Sequence, residues 1–98
     1  MVTPKRSANK TVRVTFELPG DIVAEKVAVC GDFNDWSTVD LLMRKTNEGT
    51  WRAITSLPAG RRYRYRYLID DERWENDWQA DDYEPNPYGS DDSILIVA

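Results

Sequence analysis

Two side-chain types in this 98-residue chain are abundant enough to suggest chemistry, the carboxylates and the tryptophans. Ten acids lie between Asp70 and the C-terminus, and a pair of carboxyl groups about 5–9 Å apart is what glycoside hydrolysis requires. Hydrolysis also needs one of the pair held protonated by burial, which the convex surface of so small a domain does not provide. There is no histidine and one cysteine, Cys30. Ser-His and Cys-His triads and nearly all transition-metal sites are thereby removed. Cys30 ends the apolar run Val27-Ala28-Val29-Cys30, where a thiol packs rather than attacks. Asp70, Asp71, Glu72, Asp77, Asp81 and Asp82 are hard oxygen ligands of the kind calcium takes, but they lack the spaced order of an EF loop. They read instead as solvated acids that partly neutralise residues 44–66, where seven basic side chains face one acid. No catalytic residue, metal or cofactor is expected.

The tryptophans are the sharper signal, since four of them occur in one short chain. Trp36 lies in the turn-rich segment Gly31-Asp32-Phe33-Asn34-Asp35-Trp36-Ser37, and Trp74 and Trp78 lie in the polar run Glu72-Arg73-Trp74-Glu75-Asn76-Asp77-Trp78. An indole in a polar loop either closes the edge of a core or stands free as a flat platform. A sugar ring presents C–H faces ringed by hydroxyls, so a sugar site joins such a platform to fixed donors and acceptors. Arg66 offers a planar donor fork, and Ser90, Asp92 and Asn76 offer further polar groups. Geometry argues against nucleic acid. Arg62, Arg64 and Arg66 alternate with Tyr63, Tyr65 and Tyr67, and a period of two sends cations and rings to opposite faces. The net charge of −4 also argues against nucleic acid and anionic membranes.

These residues must be positioned by strands. In Thr11-Val12-Arg13-Val14-Thr15-Phe16-Glu17-Leu18 the apolar residues alternate strictly. The run 27–30 reads as a strand buried on both faces. Residues 41–45 and 51–57 read as a hairpin about Asn47-Glu48-Gly49, followed by the turn Pro58-Ala59-Gly60 and the arginine–tyrosine strand. Residues 70–93 read as irregular, and Ile94-Leu95-Ile96-Val97 as the last strand. No stretch has a helical period, and the fold class is all-β, an antiparallel sandwich. Residues 1–10 read as a mobile basic tail and 11–98 as one domain, too short for a (β/α)₈ hydrolase barrel of about 250 residues. The N-terminus has no apolar segment of a secretory signal and no run is long enough to span a membrane, so a soluble cytoplasmic protein is expected.

The segment Val27-Ala28-Val29-Cys30-Gly31-Asp32-Phe33-Asn34-Asp35-Trp36-Ser37 resembles the G-x-F-N-x-W segment of carbohydrate-binding module family 48. That family includes the glycogen-binding domain of AMP-activated protein kinase beta subunits and the early-set domains of isoamylases and branching enzymes. The resemblance continues through Gly49-Thr50-Trp51, Leu57-Pro58-Ala59-Gly60, residues 63–70, Trp74-Glu75-Asn76-Asp77 and Pro85-Asn86-Pro87-Tyr88-Gly89. It implies an immunoglobulin-like early-set sandwich and a non-catalytic module for α-glucan: glycogen, starch or maltooligosaccharide. By matching motifs Trp36 and Trp74 would stack on consecutive glucose units, and Arg66, a lysine in the kinase-type domains, would bond the sugar. Tyr88 would push into the glucan ring, and Ser90 and Asp92 would reach its hydroxyls, with Asp92 standing where those domains carry an amide. The alternative expectation is a regulatory domain that docks an enzyme or kinase through the arginine face from Arg44 to Arg66, with the sugar site weakened or lost.

Overall fold

The alternating residues Val12, Val14, Phe16 and Leu18 form one buried face of strand β2 (Thr11–Leu18), as their period requires. The structure, a computed structural model, describes residues 2–6 and 11–98. Two antiparallel sheets pack face to face. The first runs β1 (Val2–Arg6), β2, β5 (Trp51–Pro58) and β4 (Arg44–Lys45). The second runs β3 (Val27–Gly31), β6 (Arg61–Ile69), β9 (Asp91–Val97) and β8 (Asp82–Pro85). The short strand β7 (Arg73–Glu75) pairs with the far end of β6. Part of the segment expected to be a tail is thus an edge strand, because Val2–Arg6 lie antiparallel along β2. Met1 and residues 7–10 fall outside the described residues.

Both faces of β3 are buried, and they serve different clusters. Val27 and Val29 enter the core between the sheets. Ala28 and Cys30 join Leu68 in a small apolar patch on the outer face, which Trp36 covers. On β6 the tyrosines and Ile69 point inward and the arginines outward, as the alternation predicts. Tyr65 meets Phe16 edge-on with ring centroids 5.3 Å apart, and Tyr67 meets Tyr65 at 5.9 Å.

Inward tyrosines carry hydroxyls into an apolar core, and each needs an acceptor. Tyr63 donates to the Pro58 carbonyl at 2.8 Å. Tyr65 and Tyr67 donate at 2.9 and 3.0 Å to one oxygen of Asp77, which is fully buried. Burial, the largest cause for both, raises the pKa of the two phenols above the ordinary tyrosine range and keeps them donors. The other Asp77 oxygen accepts the Gln79 N–H at 2.9 Å, the Asp77 N–H donates to Ser93, and its carbonyl accepts the Tyr83 hydroxyl. Asp77 is therefore a core residue, not a solvated acid.

Three boundaries differ from those the sequence predicts. Residues 70–93 contain β7 and β8, and the last strand begins at Asp91 instead of Ile94. Their acidic residues hide the period because pairing with β6 and β9, not local propensity, makes them extended. Of residues 41–45 only Arg44 and Lys45 form a strand, against β5. Upstream, the Leu41 carbonyl and Met43 N–H bond to β3 of the other sheet, so this segment crosses from one sheet to the other and covers the edge of β3.

A two-residue turn at Asp70 and Asp71, φ 53° and 57°, closes the β6–β7 hairpin with a bond from the Glu72 N–H to the Ile69 carbonyl. The Asp70 carboxylate accepts the Lys26 and Glu25 N–H groups, and those bonds hold its pKa below the ordinary value. A depressed folded pKa means the contribution is present above the unfolded value, about 3.9, and is lost as pH falls through the folded one. Below about pH 4 the stability of the wild type should therefore fall more steeply with pH than that of Asp70→Asn, as read from urea midpoints. Asp77→Ala should cost on the order of 3 kcal/mol or more, since each of two buried hydroxyls left without an acceptor costs roughly 1–3 kcal/mol. Asp77→Asn, which keeps an oxygen in place, should lose less. Urea midpoints at unchanged m-value measure both.

Candidate functional site

The segment after β3 is built to hold Trp36 over the outer face of the second sheet. Gly31 is required by close approach: a Cβ there would sit 2.4 Å from the Arg64 carbonyl oxygen and 2.9 Å from Tyr65 Cβ. Phe33 turns inward and stacks on Phe16 at 5.7 Å. The Asn34 amide bonds both ways along the loop, donating to the Val29 carbonyl at 2.9 Å and accepting the Gly31 N–H at 3.1 Å. Asp35 and Trp36 then take left-handed backbone angles, φ 54° and 58°. The Ser37 N–H closes that turn on the Asn34 carbonyl. A bulky side chain is rarely found in this region, so Trp36 is held there by its surroundings. Asp32 supplies part of the hold. One of its oxygens accepts the indole N–H of Trp36 at 3.2 Å, and the other accepts the Arg64 backbone N–H at 3.0 Å.

Trp74 reaches the same place from β7. It pairs across from Leu68, so its indole lies on the outer face and stands 42% exposed. The Trp36 and Trp74 rings meet edge to face, with centroids 6.4 Å apart and planes inclined by 62°. Together they form one wall of an open cleft of about 810 Å³. The β8–β9 turn forms the opposite wall, with Pro85, Pro87 and Tyr88, the last 90% exposed. Asn86 shapes that turn: its side-chain oxygen accepts the Tyr88 N–H at 2.9 Å and the Ser90 N–H at 3.2 Å.

The floor is charged but internally matched. Arg64 bonds Glu84 at 3.0 Å, Asp92 at 3.2 Å and the Pro85 carbonyl at 3.2 Å, and Arg62 pairs with Glu84 and Asp82. Asp92 is buried, and its second oxygen accepts the Asn86 amide at 3.0 Å. Arg66 is differently placed. One terminal nitrogen reaches the Ser90 hydroxyl at 3.4 Å, and its shielded Nε has no hydrogen-bond partner among the described residues.

Of the six residues singled out by sequence, Trp36, Arg66, Trp74, Tyr88 and Asp92 line this cleft, and Ser90 touches Arg66. Asn76 does not reach it; its amide is spent on the Asp91 carbonyl and the Ser93 hydroxyl. Arg64, Pro85, Asn86 and Pro87 were not among the candidates. The Pro-Asn-Pro spacing is a turn signal that points to their loop. The remaining acids are dispersed: Asp70 on backbone, Asp71 on Lys26, Asp81 on the Ile96 N–H and Asp82 on Arg62. Cys30 lies beneath Trp36, and burial first, then the Asp71 carboxylate, pushes its thiol up to about 11.

The family described as the glycogen recognition site of AMP-activated protein kinase matches residues 12–95, and the chain belongs to it. That family is one of non-catalytic carbohydrate-binding modules. No curated protein is found to match the chain. Among the described residues no helix is long and apolar enough to cross a membrane.

Because the atom facing Gly31 is a strand carbonyl that cannot rotate away, Gly31→Ala should destabilise the domain by about 1–3 kcal/mol. It should also shift the indole N–H resonance of Trp36. Urea denaturation and a proton–nitrogen correlation spectrum check the two effects.

Proposed function

We propose that the cleft binds α-glucan and that Trp36, Trp74 and Arg66 carry the binding. The observation behind this reading is the 62° inclination of the two indoles along a cleft that the Arg66 guanidinium also lines. Successive glucose rings of a helical α-1,4 chain turn with respect to one another, and two inclined planes suit such a chain better than a flat β-linked ribbon. Stacking of ring C–H faces on the indoles provides affinity, and the Arg66 fork with the Ser90 hydroxyl provides orientation. Tyr88 overhangs the opposite side and is free to meet an incoming ring. Asp92 takes a supporting role, since both its oxygens are engaged: it holds Arg64 and Asn86 and through them the turn. Nothing in this scheme requires catalysis or a cofactor.

A few rings on an open cleft give a Kd of about 10 μM to 1 mM, or roughly −7 to −4 kcal/mol. The second reading, a dock for a glucan-active enzyme or kinase through the arginine face, has less behind it. Arg62 and Arg64 are already paired with Glu84, Asp82 and Asp92, which leaves that face little free charge for an acidic partner.

In affinity electrophoresis through glycogen-containing gels the wild type should be retarded. Trp36→Ala and Trp74→Ala should lose most of that retardation. Trp36→Ala should stay folded with a loss of about 1–2 kcal/mol, because it uncovers only a small patch. Equal retardation of all three proteins would contradict the assignment.

A further inference from the structure

Strand β7 serves two sides of the molecule. Trp74 faces the outer cleft, whereas Arg73 and Glu75 pair across from Ile69 and Tyr67 and so face the inner side. There they border a second, separate cleft of about 370 Å³ at one end of the sandwich, opposite Leu18 and residues 21–23. Trp78 lines it and is 70% exposed. Its backbone is not free to wander, since Asp77 beside it is bonded through its N–H, carbonyl and carboxylate, and Gln79 is tied to the same carboxylate. One of the chain's four tryptophans is thus mounted on a fixed support and left largely uncovered, which core packing does not explain.

The rim identifies the kind of ligand. The side chains of Arg73, Glu75 and Asp21 border the cleft and make no hydrogen bond or ion pair among the described residues, the Arg73 charge acting only at longer range on Asp70. An anion would face two carboxylates, a cation would face the guanidinium, and an apolar peptide would leave all three charges unanswered. A neutral ring with hydroxyls on its edge and C–H groups on its faces meets both donor and acceptors and lays one face on the indole.

We infer that this end cleft is a second sugar-binding subsite, with Trp78 as its platform and Arg73, Glu75 and Asp21 as its polar rim. Its identity as a site for glucose units rests on the α-glucan reading of the larger cleft. It holds a shorter stretch of chain than that cleft does. Two subsites on opposite sides of β7 engage separate branches of one polymer, so the second contact forms at high effective concentration. Affinity for glycogen then exceeds affinity for a short oligosaccharide.

The test is a titration of the ¹⁵N-labelled chain with maltoheptaose, following the four tryptophan indole N–H resonances assigned by single Trp→Phe variants. The Trp78 resonance should move saturably in the wild type and in Trp36→Ala. Trp78→Ala should leave the Trp36 and Trp74 shifts intact while weakening retention by glycogen on the order of tenfold. If Trp36 and Trp74 respond and Trp78 does not, the second subsite is refuted and the larger cleft stands. If no indole responds, both fall together. A Trp78 response without one from Trp36 or Trp74 would uphold the end cleft and remove the outer one.

Discussion

Three tyrosines on one strand bring three hydroxyls into the space between two sheets, and the way those hydroxyls are satisfied governs much of the rest. Each ring contributes a large apolar surface, but an unmatched buried hydroxyl costs about as much as a lost hydrogen bond. Asp77 resolves two of the three at once. A carboxylate is well suited because it only accepts, so one oxygen takes two phenol donors without a competing proton. The requirement has a structural consequence. The chain must leave β7 and dive between the sheets to deliver Asp77, then emerge at once, which puts Trp74 and Trp78 on the surface on either side of it. The aromatic display is thus tied to core chemistry through a segment only a few residues long.

The Gly-x-Phe-Asn-x-Trp segment shows the same economy. Gly31 lets the loop lie against β6, Phe33 anchors it in the core, and Asn34 replaces backbone bonds that the loop lacks. These three positions are structural. They nevertheless hold Trp36 in a left-handed backbone conformation that costs about 1–2 kcal/mol for a residue with a side chain, recovered in part by packing on Ala28, Cys30 and Leu68. A motif that marks the fold and the residue proposed to bind are therefore parts of one device, which is why the motif's presence alone does not fix the activity.

Much of this was legible from one-dimensional pattern. The period of two in residues 12–18 and 63–69 named the inward faces, and the unbroken apolar run 27–30 named a strand covered on both sides. In each, the side chain's fate is set by its immediate neighbours. Asp77 was illegible for the opposite reason. It sits among exposed acids of the same type, and its burial is decided by Tyr65 and Tyr67 on another strand, 12 and 10 residues away. Strands β7 and β8 were hidden likewise, because their extended form comes from partners in β6 and β9. At the cleft, the tryptophans were visible as aromatics out of place, whereas Asn86 looked like any turn residue. Asp92 and Arg64 looked like free charges until their pairing was seen.

That pairing bears on what the outer face can recognise. Three outward arginines in alternation form, on their own, a cationic strip suited to phosphate or to an acidic protein. The chain supplies its own counter-charges from β8 and β9, so that Arg62 and Arg64 meet Asp82, Glu84 and Asp92 at hydrogen-bonding distance. The exposed pairs, those of Asp82 and Glu84, add little stability, typically under about 1 kcal/mol each. Their larger effect is on selectivity. With Arg62 and Arg64 occupied, an anion gains little by approaching, while Arg66 lines the cleft and one of its terminal nitrogens reaches the Ser90 hydroxyl. What is left is a guanidinium donor in the same cleft as two aromatic rings, on a locally neutral surface. Such a surface offers shape and hydrogen-bond direction where an unpaired arginine strip would offer charge, and on the proposed reading it suits a neutral polyhydroxylated chain better than a polyanion.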